Sequence, residues 1–459
     1  MRIHFIGIGG IGVSALAKYY LAKGHKVTGS DLVASEITDS LKKLGAKISI
    51  GPHSSMCLRF YLKQPDLVIY SPAIPSSNPE LKETKRLKIK CQSYPEALGE
   101  LTKKYFTIAV SGTHGKSTTT AMIGLLLTKA GLDPTVIVGT KLKEFGDSNC
   151  RVGKSQYLVI EADEHMASFL NYWPKIIVLT TIEKDHLDYY KNLKNILKTF
   201  KKYVSHLPKN GFLIANKDDE NSQKLICRGR TSTNGGSTSL YSLKQRRDIK
   251  KLKKILKIPG EYNISNALAA LTVGRALGIG DRTIFHVLSQ YKGSWRRFEI
   301  RHTNLREAEH ETTRKITIVS DYAHHPTEIK VTLKAAREKY PKREIWCVFQ
   351  PHQYQRTYYL FDDFVKTFRT APVNKLIITD IYDVAGREEK KIKEKVNSQK
   401  LVRAICRGRT STIYLPKEKI IGYLKKNLKG GEVVIIMGAG DIYKLADHLT
   451  EKKIRKKIN

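Results

Sequence analysis

The stretch AVSGTHGKSTTT, Ala109 to Thr120, sets a lysine and a serine side by side at the opening of a helix, directly after a turn bounded by glycines. Those residue types suit one task. Backbone amides cradle phosphates, the Lys116 ammonium meets the β and γ oxygens, and the Ser117 hydroxyl is a hard ligand for Mg²⁺. The strict GxxxxGK[ST] spacing fails, because Val110 stands where its first glycine belongs. The loop is built instead from Gly112, Thr113, His114, Gly115, Lys116, Ser117 and Thr118. It reads as a triphosphate cradle.

Another glycine loop precedes it. IHFIGIGGIGVSALAKYY reads as a strand, then Gly7-x-Gly9-x-x-Gly12, then a helix. The glycines allow a tight turn and close approach of backbone to a diphosphate at the helix N-terminus. Asp31 ends the next apolar stretch, where such folds contact a ribose hydroxyl. Nothing in this loop separates NAD from a sugar nucleotide.

Two further strand ends carry groups for metal-assisted phosphoryl transfer. YLVIEADE delivers Glu161, and VLTTIEKDHLD delivers Asp185 and His186. Parallel sheets put such ends on the edge that bears the phosphate loop. A carboxylate and an imidazole there can hold a second Mg²⁺, with Asp185 orienting the His186 ring.

The elements that must position these groups are short apolar runs alternating with helical segments. IHFIGI, DLVIYS, FTIAVSG, YLVIEAD, KIIVLTTI, KITIVSD, EIWCVFQ, KLIITDI and EVVIIMGAG read as strands of parallel α/β sheets. Three of them lead into turns of distinct character, which predicts three domains. These are a Rossmann-like domain over 1–104, a central P-loop ATPase-like domain over 105–294, and a second Rossmann-like domain over 295–459.

Composition agrees. A chain of 459 residues exceeds what one core supports, and 41% apolar with 27% charged residues marks an ordinary globular class. No apolar run reaches membrane-span length, and MRIHFIGIGG lacks the zones of an export signal, so the expectation is a cytoplasmic protein. The six cysteines show no zinc spacing and read as reduced. The net charge of +38 invites a nucleic-acid reading. Its lysines, however, are spread along the chain and thicken only at RDIKKLKKILK and the tail EKKIRKKIN. A solvated lysine-rich surface is the favoured reading and a functional anion field the other. The identical octapeptide ICRGRTST at Ile226 and Ile405 is too short for a structural repeat and reads as surface-loop insertion.

In order along the chain stand GIGGIGVSALA, SPAIPSSNPE, SGTHGKSTTTAM, VIEADE, IEKDHLDYY, GFLIANKDDE, PGEYNISNALAA, GSWRRFE, DYAHHPTEI, FQPHQYQRT, DIYDVAGRE and MGAGDIYKLA. That series resembles the Mur ligase family of peptidoglycan synthesis, most of all its alanine-adding member. The resemblance implies ATP-dependent addition of L-alanine to the lactyl carboxylate of UDP-N-acetylmuramate through an acyl phosphate, with Mg²⁺ or Mn²⁺. By the same resemblance the first loop, with Gly9, Gly10, Ile11, Gly12, Ser30, Asp31 and Ser71, holds the UDP substrate, and the second holds ATP. Ser117, Glu161 and His186 serve the metals. Asn266 bonds adenine, and Arg297 and Asp321 clamp phosphate and ribose. Lys116, Tyr322, His324, His352 and Arg356 face the reacting centre. The implied partners are small molecules, with no specific nucleic acid, and the implied assembly is a monomer or homodimer.

The chain also departs from the family pattern. Ser117 replaces threonine, Thr181 replaces asparagine, Tyr262 replaces histidine, and His165-Met166 replaces Ser-Asp. Gln353 stands where the alanine-adding enzymes have an arginine, which leaves the added amino acid open. Three other readings remain: a sister ligase that rejoins recovered tripeptide to UDP-N-acetylmuramate, a basic P-loop ATPase acting on nucleic acid, and an NAD-dependent dehydrogenase. The last leaves Lys116, Ser117 and the metal set unexplained.

Overall fold

The computed structural model of the chain describes residues 1–60, 64–226, 236–306, 313–384, 390–409 and 411–450. Its strands form three sheets. The first contains β1 (Arg2–Ile6), β2 (Lys26–Asp31), β3 (Lys47–Ile50), β4 (Leu67–Tyr70) and β5 (Cys91–Ser93), in the order β3-β2-β1-β4-β5. All its pairs are parallel. The strand order reverses between β1 and β4, so the loop leaving β1 opens into the crevice where such sheets bind ligands.

The second sheet comprises β6 (Phe106–Ser111), β7 (Thr135–Leu142), β8 (Ser148–Arg151), β9 (Tyr157–Glu161), β10 (Ile176–Leu179), β11 (Phe212–Asn216) and β12 (Ser237–Tyr241). Its order is β12-β11-β10-β6-β9-β7-β8, with only the β7–β8 hairpin antiparallel. The third holds β13 (Glu299–Arg306), β14 (Thr313–Asp321), β15 (Ile345–Phe349), β16 (Lys375–Ile378), β17 (Thr412–Tyr414) and β18 (Val433–Met437) in the order β13-β14-β18-β15-β16-β17. Here β13 is the antiparallel member.

Central strands such as β10, β15 and β18 are buried along their whole length, which is why they read as continuous apolar runs. In the third sheet Cys347, Phe349, Val433 and Ile435 join one core, while Trp346, Val348, Val434 and Ile436 join the other. That alternation is the two-residue period of a strand covered on both faces.

Packing divides the described chain into two compact units. One comprises Met1–Asp185, Tyr189–Leu256 and Ile264–Tyr291, and the other His186–Asp188, Lys257–Asn263 and the chain from Lys292 onward. In the first unit one apolar core runs from Ile3 and Phe5 of β1 through Leu98 and Leu101 to Ile177 and Phe200.

The basic run from Arg247 forms the helix Arg246–Ile255, which buries Asp248 and Leu252. The tail Glu451–Asn459 lies outside the described residues. So does the first ICRGRTST copy apart from Ile226. The second copy belongs to the scaffold. Ile405 and Cys406 end the helix Ser398–Cys406, buried Thr412 opens β17, and the Arg409 guanidinium donates to the carbonyls of Ala371 and Val373.

Candidate active site

The first glycine loop is fastened to the end of β2. The amides of Gly7 and Ile8 donate to the Ser30 carbonyl at 2.9 and 3.0 Å, and the Gly9 amide donates to Asp31 Oδ2 at 2.7 Å. Asp31 therefore braces the loop itself. Gly10 caps the helix Ile11–Ala22 without a side-chain bond, so the positive end of that helix is formed by the amides of Ile11, Gly12 and their neighbours. A side chain at Gly12 would start 2.9 Å from the Tyr94 ring, and one at Gly7 would start 3.1 Å from Ser71 Cβ. Ser71 thus lines the loop from β4, its amide bonded to the Ile6 carbonyl.

The second loop leaves β6 after Ser111, so Val110 is a fully buried strand residue rather than part of the cradle. Gly112 and Gly115 take φ of 132° and 82°, and a Cβ on them would lie 2.2 Å from Thr180 Oγ1 and 2.4 Å from Asn266 Oδ1. Only glycine tolerates both the conformation and the approach. Thr181 grips the turn between them: its carbonyl accepts from the Thr113 amide and its hydroxyl from the His114 amide. The substituted threonine is therefore a working part of the loop. Asn266 touches the same turn and accepts a bond from Thr119 Oγ1 at 3.2 Å, while Thr118 is buried in the helix Lys116–Lys129.

Lys116 Nζ donates to Glu164 at 2.8 and 3.0 Å and to the Gly112 carbonyl at 2.7 Å. Burial works against its charge, but the carboxylates of Glu164, Asp163 and Glu161 outweigh burial and push its pKa up. Burial likewise dominates at Glu164 and drives that carboxyl upward against the pull of Lys116. Ser117 Oγ donates to Glu161 Oε1 at 2.9 Å, and Glu161 Oε2 accepts from the Gly139 amide at 2.8 Å. A hydroxyl and a carboxylate already in contact are the hard oxygen donors that Mg²⁺ prefers. His186, with φ of 50°, groups with the second unit.

Within the second unit, residues widely spaced in sequence converge. The Tyr322 and His324 rings meet edge to face at 5.3 Å, and His324 meets His352 likewise at 5.8 Å. Arg356 Nη1 lies 3.3 Å from His352 Nδ1 and donates to Gln353 Oε1 at 3.2 Å. His324 is braced by Glu328 at 3.2 Å. Asp321, ending β14, accepts from the amides of Phe298 and Ala323 at 2.7 and 2.8 Å. Burial pushes its carboxyl up to about 6, although Arg297 and those amides pull it down. Arg297 lies over the Tyr322 ring at 4.8 Å. Its neighbour Arg296 is instead buried, stacked on Tyr322 and Tyr443, and donates to the carbonyls of Gly438 and Gly440.

Sequence reasoning passed over three contributors. Glu164 stands in the EADE run, where sequence alone marks no role for it. Glu183 reaches His114 at 3.3 Å. Tyr382 stacks flat on His352 with centroids 5.5 Å apart, and its carbonyl holds the Gln353 amide. Only the fold brings Tyr382 beside His352, so spacing carries no signal for it.

Three family models cover nearly the whole chain. Mur ligase family, catalytic domain, matches residues 2–106; Mur ligase middle domain matches 110–274; Mur ligase, glutamate ligase domain, matches 296–440. The chain is 42% identical over 475 aligned residues to the UDP-N-acetylmuramate--L-alanine ligase of Acetivibrio thermocellus, covering 98% of this chain and 96% of that one. The crystal structure of UDP-N-acetylmuramate-alanine ligase from Thermotoga maritima matches with a TM-score of 0.77 at 26% identity, covering 98% of each chain. A murein peptide ligase from Psychrobacter arcticus matches in fold with a TM-score of 0.71 at 22% identity over the same shares. Two phosphate-type loops on separate sheets and matches along almost the whole length lead to one conclusion: the chain belongs to the Mur ligase family.

Proposed function

We propose that the protein is an ATP-dependent ligase that joins L-alanine to the lactyl carboxylate of UDP-N-acetylmuramate in peptidoglycan precursor synthesis. The observation that carries this is the pair of loops. One glycine loop opens a switch-point crevice suited to a nucleotide handle, and the other holds a lysine, and a serine against a carboxylate, as a triphosphate requires. Identity of 42% with an alanine-adding relative supports the choice of amino acid. We assign the substrate-nucleotide domain to 1–104, the ATP domain to 105–294 and the amino-acid domain to 295–459, and the reaction to the cytoplasm.

A carboxylate is a poor electrophile and repels an incoming nucleophile, so it must first be phosphorylated. Lys116 trades its bond to Glu164 for the γ-phosphate and spreads the charge that develops there. Bound Mg²⁺ supplies further positive charge to the same phosphoryl group. Ser117, Glu161 and His186 would hold that ion. Thr113, His114 and Thr118 complete the cradle, Asn266 takes adenine, and Arg297 and Asp321 take phosphate and ribose. Arg356 receives the amino-acid carboxylate. His324 and His352 offer imidazoles for the proton that alanine's ammonium must lose before its amine attacks the acyl phosphate. Collapse of the tetrahedral adduct then yields amide and phosphate.

The test is phosphate release with UDP-N-acetylmuramate, ATP and each amino acid in turn. Release with L-alanine above all others is expected. Release only with the recovered tripeptide would favour the sister ligase, a reading that Gln353 keeps open. Release driven by DNA or RNA instead would overturn both.

A further inference from the structure

Beneath the first glycine loop lies a buried polar network that no step above uses. Glu80, fully buried in the first turn of the helix Pro79–Arg86, receives three donors: His4 Nε2 at 2.8 Å, Ser30 Oγ at 2.8 Å and His53 Nδ1 at 2.6 Å. His4 is bonded in turn to Thr28 Oγ1 at 2.9 Å. The partners come from β1, from β2 and from the segment after β3, and the carboxylate comes from the helix after β4. One side chain thus ties together the elements around the crevice at the β1–β4 switch point, where the strand order reverses.

A buried carboxylate is costly to keep, and a whole buried network of this kind can be replaced by well-packed apolar residues with little loss of stability. This one is kept ionised. Burial is the largest influence and acts upward, but the bonds from His4, His53 and Ser30 together hold the Glu80 carboxyl below the usual range. Its connection to the loop is direct. The Ser30 side chain is fixed by Glu80, and the Ser30 carbonyl receives the amides of Gly7 and Ile8, which begin the glycine turn. Gly29 leaves no slack, since a Cβ there would lie 2.7 Å from Ile8 Cδ1.

We propose that Glu80 and His53 are positioning residues for the substrate-nucleotide loop, acting through Ser30 to hold the amides of Gly7 and Ile8 where the uridine diphosphate binds. The inference rests on reading that loop as the UDP site, and it adds residues that touch no substrate.

The test compares Glu80→Gln, His53→Ala and His53→Asn. Asparagine keeps an N–H near the place of Nδ1, whereas alanine removes it. Calorimetry with UDP-N-acetylmuramate and separately with ADP, together with steady-state rates, gives the readouts. Glu80→Gln and His53→Ala should weaken UDP-N-acetylmuramate on the order of tenfold and raise its KM to match. The ADP affinity, the KM for ATP and kcat at saturation should stay within about twofold. His53→Asn should recover most of the loss. Should Glu80→Gln fail to fold, the two His53 variants carry the comparison. A lower unfolding midpoint with unchanged UDP-substrate affinity would mean a purely structural network and overturn the proposal, as would equal losses for both nucleotides. Wild-type protein that binds UDP-N-acetylmuramate without releasing phosphate would sink the ligase reading and leave this test standing. Wild-type protein that binds no uridine nucleotide would end the positioning role.

Discussion

At the scale of single residues, Gln353 stands at the proposed amino-acid site, where the family resemblance implies an arginine. Its backbone is left-handed, with φ of 71°, and its side-chain oxygen is spent on Arg356. The amide therefore steadies the one guanidinium instead of adding a second. A charge-assisted bond to a desolvated carboxylate is worth about 1.5–3 kcal/mol, or roughly ten- to hundredfold in capture. Gln353→Arg should lower the KM for alanine about tenfold and leave kcat nearly unchanged; an unmoved KM or a collapse of kcat would show that Gln353 does not face that carboxylate. Asp321 gives a second handle. Its carboxyl ionises at about 6 in the folded chain against 3.8 ordinarily, so folding favours the protonated form. That stabilising contribution is complete below about pH 4 and is lost as pH rises through about 6, a change worth roughly 3 kcal/mol. Denaturant unfolding between pH 4 and pH 7 should show wild type losing that much relative to Asp321→Asn. Parallel pH slopes for the two proteins would refute the assignment.

At the scale of elements, the segment His165–Asn171 behind Glu164 contains two consecutive left-handed residues, Met166 and Ala167, with φ of 51° and 55°. The aspartate that the family resemblance implies at position 166 would tolerate that region, whereas methionine there costs about 1 kcal/mol. Met166→Asn should raise stability by roughly 0.5–1 kcal/mol in a thermal or denaturant titration, since Met166 is half exposed and little packing is lost. Destabilisation would mean that the methionine makes contacts that outweigh its backbone. The same contrast governs what could be read in advance. All nine apolar runs became strands, because central strands buried on both faces are mostly apolar. Not read were the six edge strands β3, β5, β8, β12, β13 and β17, which carry polar residues such as those of KISI, CQS and SNCR, and two interior strands, β7 and β11, whose runs TVIVGTKL and FLIAN are apolar and largely buried. The candidate site was legible where a motif follows one strand end, as at Lys116 and Ser117 after β6. It was illegible where chemistry depends on tertiary approach, as with Glu80 on Ser30 or Tyr382 on His352.

At the scale of the whole molecule, 81 basic side chains face 43 acidic ones. Part of the excess is placed where helices welcome it: Lys42 and Lys43, Lys103 and Lys104, Lys201 and Lys202, Lys253 and Lys254, and Lys425 and Lys426 all occupy last helical turns. What remains is a long-range positive field, which speeds encounter with anions and is screened over about 10 Å at 0.1 M salt and about 3 Å at 1 M. The proposed substrates divide by charge. ATP and UDP-N-acetylmuramate are polyanions, while alanine is a zwitterion without net charge. Raising NaCl from about 0.05 to 0.5 M should therefore raise the KM for both nucleotides, on the order of several-fold, and leave the KM for alanine and kcat nearly constant. Steady-state assays at fixed pH, with each substrate varied in turn, give the comparison. Nucleotide constants indifferent to salt would mean that the basic surface plays no part in capture, and an alanine constant rising in step with them would point to a general effect of salt on the enzyme instead of a field acting on charge.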